Sequence, residues 1–355
     1  MKRRSFIKGS LSGVTGIYLT ACGQLKNSSG TTASGNYFMS VLGPQPLSNM
    51  GFTLTHEHFF ADLRPYSEQL KNPLPLNLDD VVATVLPHLT EIQKLGCKTF
   101  IDCTAVGVGR NPPLLKALAK ASGMQIVTTT GAYLSNDSKF KPDYFDAMSA
   151  DALAEKWLGE WHDGIDGTGI KPGMIKIGVS GGSLTHDENK LVKAAILTHE
   201  KSGMVIGCHI GPWREVKPGV NGKSALEQIK LVKDAGVSPK RWIWIHAQNE
   251  VDFQFHQQAL AQGAWISYDG YRPEQTPQYL ELITRIKTEG YLQNLLVSQD
   301  SGWYTAAEPK GGKFNSFAPL ITNLITALKD RGFTADELGQ IFTHNPAEAF
   351  QIKVI

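Results

Sequence analysis

The chain has 355 residues, 41% of them hydrophobic, enough to bury a large core. Its net charge of +2, with no long basic run, argues against nucleic acid as a partner. "KPGVNGKS" ends like a phosphate loop, but Lys217 stands where the first glycine is required, so a phosphate loop is excluded as well.

The chain opens with "MKRRSFIKGS", in which Arg3 and Arg4 are followed by Phe6, Ile7 and Lys8, a twin-arginine pattern. The apolar run behind it is too short and too polar to span a bilayer. Leu19-Thr20-Ala21-Cys22 resembles a bacterial lipobox, in which cleavage precedes the cysteine and Cys22 receives lipid. A plain cleaved signal with an incidental cysteine is the alternative. Residues 1–22 are thus read as a lipoprotein signal peptide. Residues 23–36, "GQLKNSSGTTASGN", read as a flexible Gly/Ser/Thr tether, and residues 37–355 as the folded domain. The expected location is the periplasm or a lipid-anchored position at the outer membrane, reached by the twin-arginine route. The other three cysteines form no disulfide framework. Cys97 and Cys103 bracket one extended run and stand ~20 Å apart, too far to bridge.

Beyond the tether, short β-rich runs alternate with longer helical patterns. The runs are "FTLTHEH" (52–58), "CKTFIDCTAV" (97–106), "QIVTTTGA" (125–132), "MIKIGVS" (174–180), "MVIGCHI" (204–210), "WIWIHAQ" (242–248), "AWISYDG" (264–270) and "LLVSQDS" (295–301). One intervening helix starts near Asp187, which is expected to cap it. Eight such alternations predict an α/β fold, a (β/α)8 TIM barrel. The rival, a doubly wound open sheet, lacks its glycine-rich fingerprint after the first strand.

The polar residues of these runs gather at strand ends. His56 and His58 end the first strand and share a face, because residues two apart in a strand point the same way. His209 ends the fifth strand, His246 the sixth and Asp300 the eighth. In a barrel these ends converge on the mouth where active sites lie. Lys176 lies inside the fourth strand, sharing parity with Met174 and Gly178, while Ile175, Ile177 and Val179 suit the helix layer. A closed barrel has no edges, so Lys176 is expected to point inward. A buried ammonium needs its charge paired or removed. The same parity makes Trp242 and Trp244 face inward with His246. Two indoles are bulky there, unless Gly207 and Ser298 make room or a bulge resets the alternation.

Imidazoles and a carboxylate suit zinc and similar first-row metals. Four histidines and an aspartate exceed what one catalytic zinc needs, which suggests two ions. Two close ions want a bridging anion. A buried lysine has a lowered pKa, and its neutral amine can add carbon dioxide to form a carbamate. Lys176 is the residue available for that role.

Several motifs together resemble the phosphotriesterase family of the amidohydrolase superfamily. "GFTLTHEH" is similar to the family's opening motif, "GMIKIGVSGG" to its carboxylated-lysine strand, and "VIGCHI", "WIHAQ" and "VSQDSG" to its later His, His and Asp strands. "THNPAEAF", residues 343–350, resembles its C-terminal helix motif. The resemblance runs from about residue 38 to 352 and implies the following. His56, His58 and Asp300 hold one divalent ion, His209 and His246 the other, and carboxylated Lys176 bridges both. A bridging hydroxide attacks the substrate, and Asp300 accepts the proton. The ions are expected to be zinc, with manganese or cobalt as alternatives.

The chain also departs from the family pattern. Acidic residues that often follow the strand-six histidine are replaced by Ala247, Gln248 and Asn249, before Glu250. After Asp269, phosphotriester-hydrolysing members carry His and lactonase members Arg; here stands Gly270, with Arg272 two residues on. Tyr133 matches a tyrosine of lactonase-like members, where the ring lines the pocket; ordinary loop packing is the alternative. The expected activity is therefore hydrolysis of a carboxylic ester or lactone, with Asp300 and Tyr133 as its catalytic candidates. The alternatives are phosphotriester or amide hydrolysis on the same centre, or a metal-loaded binding lipoprotein without catalysis. Expected partners are a small-molecule substrate, a second copy in a homodimer, and the membrane only through the lipid anchor.

Overall fold

A computed structural model describes residues 36–135, 139–211 and 217–353. The twin-arginine segment, Cys22 and the tether up to residue 35 lie outside the described residues.

Eight parallel strands succeed one another around the barrel. They are β1 (Thr53–Ala61), β2 (Thr99–Asp102), β3 (Gln125–Val127, continued by Thr129–Thr130), β4 (Met174–Val179), β5 (Val205–Ile210), β6 (Trp242–Ile245), β7 (Trp265–Tyr268) and β8 (Leu295–Val297). Each pairs with the next in parallel register. The chain after β8 closes the ring. The Asp300 N–H donates to His56 O at 3.0 Å, and the His58 N–H donates to Ser301 O at 2.9 Å. The extra strand Gly302–Thr305 then runs parallel to β1.

Alternation along the strands sorts side chains into two layers. Ile101, Val127, Met174, Val205, Ile243, Ile245, Trp265 and Leu296 fill the barrel interior. An antiparallel hairpin, Tyr37–Ser40 with Gly43–Pro46, lies ahead of β1, and its Phe38 packs with Met50 and Phe350 against this interior cluster. The opposite parity, including Ile175, Ile177, Val179, Ile206 and Ile266, faces the helices. The helix Leu78–Lys94 shows why they fit: Val81, Val85, Leu89 and Ile92 recur at helical spacing and are buried, and Asn77 caps its start. The helix after β4 spans His186–Ser202, and its cap is Thr185 in a capping box with Glu188, so Asp187 falls in the first turn instead. "THNPAEAF" contributes the helix Asn345–Phe350; the Asn345 amide donates to the carbonyls of Leu292 and Leu295 at 2.7 and 2.6 Å, fastening it to the entry of β8.

Two places break the alternation. Trp242 and Trp244 pack in the outer layer, while Ile243 and Ile245 take the interior, the reverse of the sequence expectation. The reason is His246, whose φ of +62° turns the chain through the left-handed region just past β6 and resets the parity. Gly207 therefore makes no room for an indole; a Cβ there would collide with the Met174 methyl. In β1 the register with β2 shifts between Leu54 and Glu57, so Leu54 faces the helices while His56 faces the mouth. The three cysteines within the described residues are buried and unbridged. No described helix is long and apolar enough to cross a membrane.

Candidate metal centre

A pocket of about 380 Å³ opens at the C-terminal ends of the strands and is lined by His56, His58, Lys176, His209, His246 and Asp300 together. All six residues are at least 95% buried. The structure thus brings every sequence-named ligand candidate into one cavity. Tyr133 belongs to the same wall, its ring centroid 4.9 Å from that of His209. The rest of the lining is mostly apolar: Leu63, Cys103, Ala105, Val108, Phe140 and Trp303, with Lys139 at the rim.

The imidazoles are held from behind. His56 Nδ1 lies 3.1 Å from Asp269 Oδ2, and His246 Nδ1 lies 2.7 Å from Asp269 Oδ1. Asp269 also accepts the backbone N–H of His246. One fully buried carboxylate therefore orients two histidines. With Nδ1–H donated to Asp269, the His56 lone pair sits on Nε2 and faces the pocket. His58 Nδ1 is fixed by Thr104 Oγ1 at 2.8 Å, which turns its Nε2 the same way. The two Nε2 atoms stand 3.2 Å apart, and Asp300 Oδ1 is 3.0 Å from His58 Nε2 and 3.7 Å from His56 Nε2.

Burial sets the charges. It lowers the His56 pKa to about 3, helped by the Lys176 charge and opposed by Asp269 and Asp300. Burial, with the neighbouring His246, Lys176 and His56, holds His209 well below its ordinary value. Burial alone would raise Asp300, but His56, His58 and His246 outweigh it and hold the carboxyl below its usual range. Neutral His56 and His209 beside an ionised Asp300 are in the protonation state that a metal ion requires.

This set fits a divalent ion. Two nitrogens 3.2 Å apart match the ~3.3 Å edge of a tetrahedral site with metal–nitrogen bonds of about 2.0–2.1 Å. Imidazole lone pairs so close repel unless a cation lies between them. Among the described residues no carboxylate is within ion-pair distance of Lys176.

Sequence reasoning named Asp269 only as a landmark, although "SYD" carries the same strand-end acid as "SQD". It also gave no role to Glu57, the acid between the two histidines. Glu57 turns away from them and accepts hydrogen bonds from Ser298 Oγ (2.7 Å), the Gln299 N–H (3.2 Å) and the Ser301 N–H (2.7 Å). It clamps the turn that carries Asp300. Trp303 stacks on His58 with centroids 3.8 Å apart, and its indole N–H donates to Asp300 O at 3.0 Å. Nothing in its sequence context marks it.

The departures around position 270 have a structural counterpart. The Asp269 N–H donates to Gln248 Oε1 at 3.1 Å, and a Cβ at Gly270 would sit 2.6 Å from Gln248 Nε2. The tip of the Gln248 side chain would have to move to admit a side chain at 270. Gly178 is similarly constrained, because a Cβ there would run into the Tyr133 ring. Gly178→Ala is expected to cost ~1–3 kcal/mol as overpacking and to lower kcat/KM by tilting Tyr133, with metal content unchanged. Denaturant unfolding and steady-state kinetics check this; wild-type values for both would show that the ring position is immaterial.

Comparisons with known proteins converge on one group. The model of the phosphotriesterase family matches residues 36–350. An aryldialkylphosphatase of Saccharolobus solfataricus is 26% identical over 314 residues, covering 85% of this chain and 95% of that protein. An N-acetyltaurine hydrolase of Rattus norvegicus is 25% identical over 358 residues, covering 88% and 97%. A solved structure described as organophosphate hydrolysis activity engineered from a weak promiscuous lactonase template superposes with a TM-score of 0.77 at 25% identity, covering 88% of this chain and 99% of that one. With the barrel and the converging histidines in place, the match across nearly the whole domain means that this chain belongs to the phosphotriesterase family.

Proposed function

We propose that the protein hydrolyses carboxylic esters or lactones at a binuclear metal centre. Hydrolysis on such a centre is the chemistry of the family; the ester or lactone preference is our reading. The observation that carries it is the filling of position 270. Gly270 supplies no counterpart to the histidine of phosphotriester-hydrolysing members, and Gln248 Nε2 stands where a Cβ at 270 would come. The Tyr133 ring, as in lactonase-like members, stands beside His209.

His56, His58 and Asp300 would hold one ion, and His209 and His246 the other. Lys176, after its neutral amine adds carbon dioxide and releases a proton, would lie between them as a carbamate. When bound, the ions supply Lewis acidity that polarises the scissile carbonyl and acidifies water. The protein's own residues do the rest. Asp269 and Thr104 hold the imidazole tautomers. Asp300 accepts a proton from the attacking water and passes it to the leaving group. Leu63, Val108, Phe140 and Trp303 wall the pocket with apolar surface and receive the hydrocarbon part of the substrate.

Ester or lactone turnover is expected to exceed paraoxon-type phosphotriester turnover by at least ~100-fold in kcat/KM, a barrier difference of about 2.7 kcal/mol. A panel of lactones, aryl esters, N-acyl amides and phosphotriesters on zinc- and manganese-loaded protein tests this. Phosphotriesterase activity equal to the best ester activity would overturn it. Relatives named aryldialkylphosphatase and N-acetyltaurine hydrolase make phosphotriester and amide cleavage the second reading.

A further inference from the structure

We infer that Arg272 is a positioning residue for Asp300, not a substrate contact. This rests on the metal-centre reading above. Arg272 does not line the 380 Å³ pocket. Its guanidinium turns instead onto the backbone of the Asp300 turn. Nη1 donates to the carbonyls of Tyr271 (2.8 Å) and Gln299, and Nη2 donates to the carbonyl of Asp300 at 3.1 Å. That turn needs support, since Asp300 sits at φ +49°, in the left-handed region that residues with a Cβ seldom occupy.

The turn is held from both sides by complementary hydrogen bonds. Glu57 collects donors at Ser298, Gln299 and Ser301. Arg272 covers the acceptors at Gln299 and Asp300. A planar guanidinium is suited to this, because its donors diverge in a fixed fork and can bind carbonyls of one turn at once. The two carbonyls belong to the peptide units on either side of the Asp300 Cα, so fixing both fixes the direction of the Asp300 side chain.

The placement couples this residue to the rest of the centre. Asp269, three residues earlier, orients His56 and His246. The segment following β7 thus holds three candidate ligands: two imidazoles through Asp269 and one carboxylate through Arg272. The sequence departure at Gly270 then takes on a different meaning. The arginine found two residues later does not replace a pocket side chain; it serves the backbone behind the centre.

The test compares wild type, Arg272→Lys and Arg272→Ala, each stripped and reloaded with cobalt alone. The visible absorption of bound cobalt reports ligand geometry, competition with a chelator reports affinity, and ester kinetics report kcat and KM separately. Arg272→Ala is expected to lose ~10–100-fold in kcat and in affinity for the weaker-bound ion, with KM changed less than ~3-fold. The cobalt spectrum should shift. Arg272→Lys, which keeps charge but not the fork, should recover only part. Arg272 also borders an open cavity of about 370 Å³ with Gln248, Glu274 and Asp300 itself, so added guanidinium should reach the gap in Arg272→Ala and restore turnover. Such rescue also separates a positioning defect from misfolding. A wild-type spectrum and kcat in Arg272→Ala, or a loss confined to KM, would overturn the assignment. Failure of wild type to bind cobalt would instead overturn the metal-centre reading on which it rests.

Discussion

Lys176→Ala is expected to bind no more than one metal ion per chain and to lose at least ~10³-fold in kcat, about 4 kcal/mol of barrier. Lys176 is 2% exposed, faces the pocket from β4, and lies among four imidazoles and Asp300. A positive charge there opposes any cation the histidines gather. A carbamate reverses that sign and offers two oxygens. Removing the side chain would remove the proposed bridge while leaving the five other candidate ligands in place. Metal analysis by plasma emission on Lys176→Ala and on Lys176→Met, which fills the same space without the amine, gives the readout. If either variant retains two ions and full activity, Lys176 does not bridge. Acid-denaturing mass spectra are unsuited to the question, because carbamates decompose in acid.

Asp269→Ala should have the next largest effect. Its carboxylate is fully buried and takes His56 Nδ1, His246 Nδ1 and the His246 backbone N–H. Burial alone would raise its pKa, yet the charges and hydrogen bonds of His246 and His56 hold it well below the usual range. Deleting it leaves three buried donors without this acceptor, at roughly 1–3 kcal/mol each, and frees both rings to turn. Metal affinity and kcat should each fall by ~10–100-fold, as for other groups that orient metal-bound imidazoles. Asp269→Asn keeps the shape but offers one acceptor oxygen in place of two, so it should fall between Ala and wild type. Metal titration with circular dichroism separates lost affinity from lost fold. Unchanged affinity in a folded Asp269→Ala would show that the histidines are held by other contacts.

How much of this was legible in the sequence follows from which rules are local. The strand period of two turned Lys176 inward, because it lies inside regular strand, and it put His56 and His58 on one face although the register of β1 shifts between Leu54 and Glu57. The eight β-rich runs each contain a strand, but regular pairing stops earlier than the apolar stretch suggests, as in β2, which ends at Asp102. Parity failed where the backbone leaves the strand. The left-handed turn at His246 sends Trp242 and Trp244 to the helix layer, and the register shift in β1 lets Leu54 and His56 face opposite ways. Neither irregularity has a glycine or proline to announce it.

The supporting residues were hidden for a different reason. Glu57 is separated by more than 240 positions from the turn it clamps, and Asp269 meets His56 across 213 positions. Such pairings exist only once the ring closes. Arg272 stands two residues beyond the position where lactonase members carry Arg, and its contacts with the carbonyls of Gln299 and Asp300, which turn it onto the backbone, exist only in the folded ring.

Four histidines, Asp300 and Lys176 are proposed to hold two divalent ions that the hydrolytic activity requires. The most direct measurement is metal content and ester turnover on the same preparation, as purified, after exhaustive chelation, and after titration with zinc. The active protein is expected to hold about two ions per chain, to show no turnover when stripped, and to recover in step with the second equivalent added. Full turnover by the stripped protein, or recovery complete at one equivalent, would contradict the proposal.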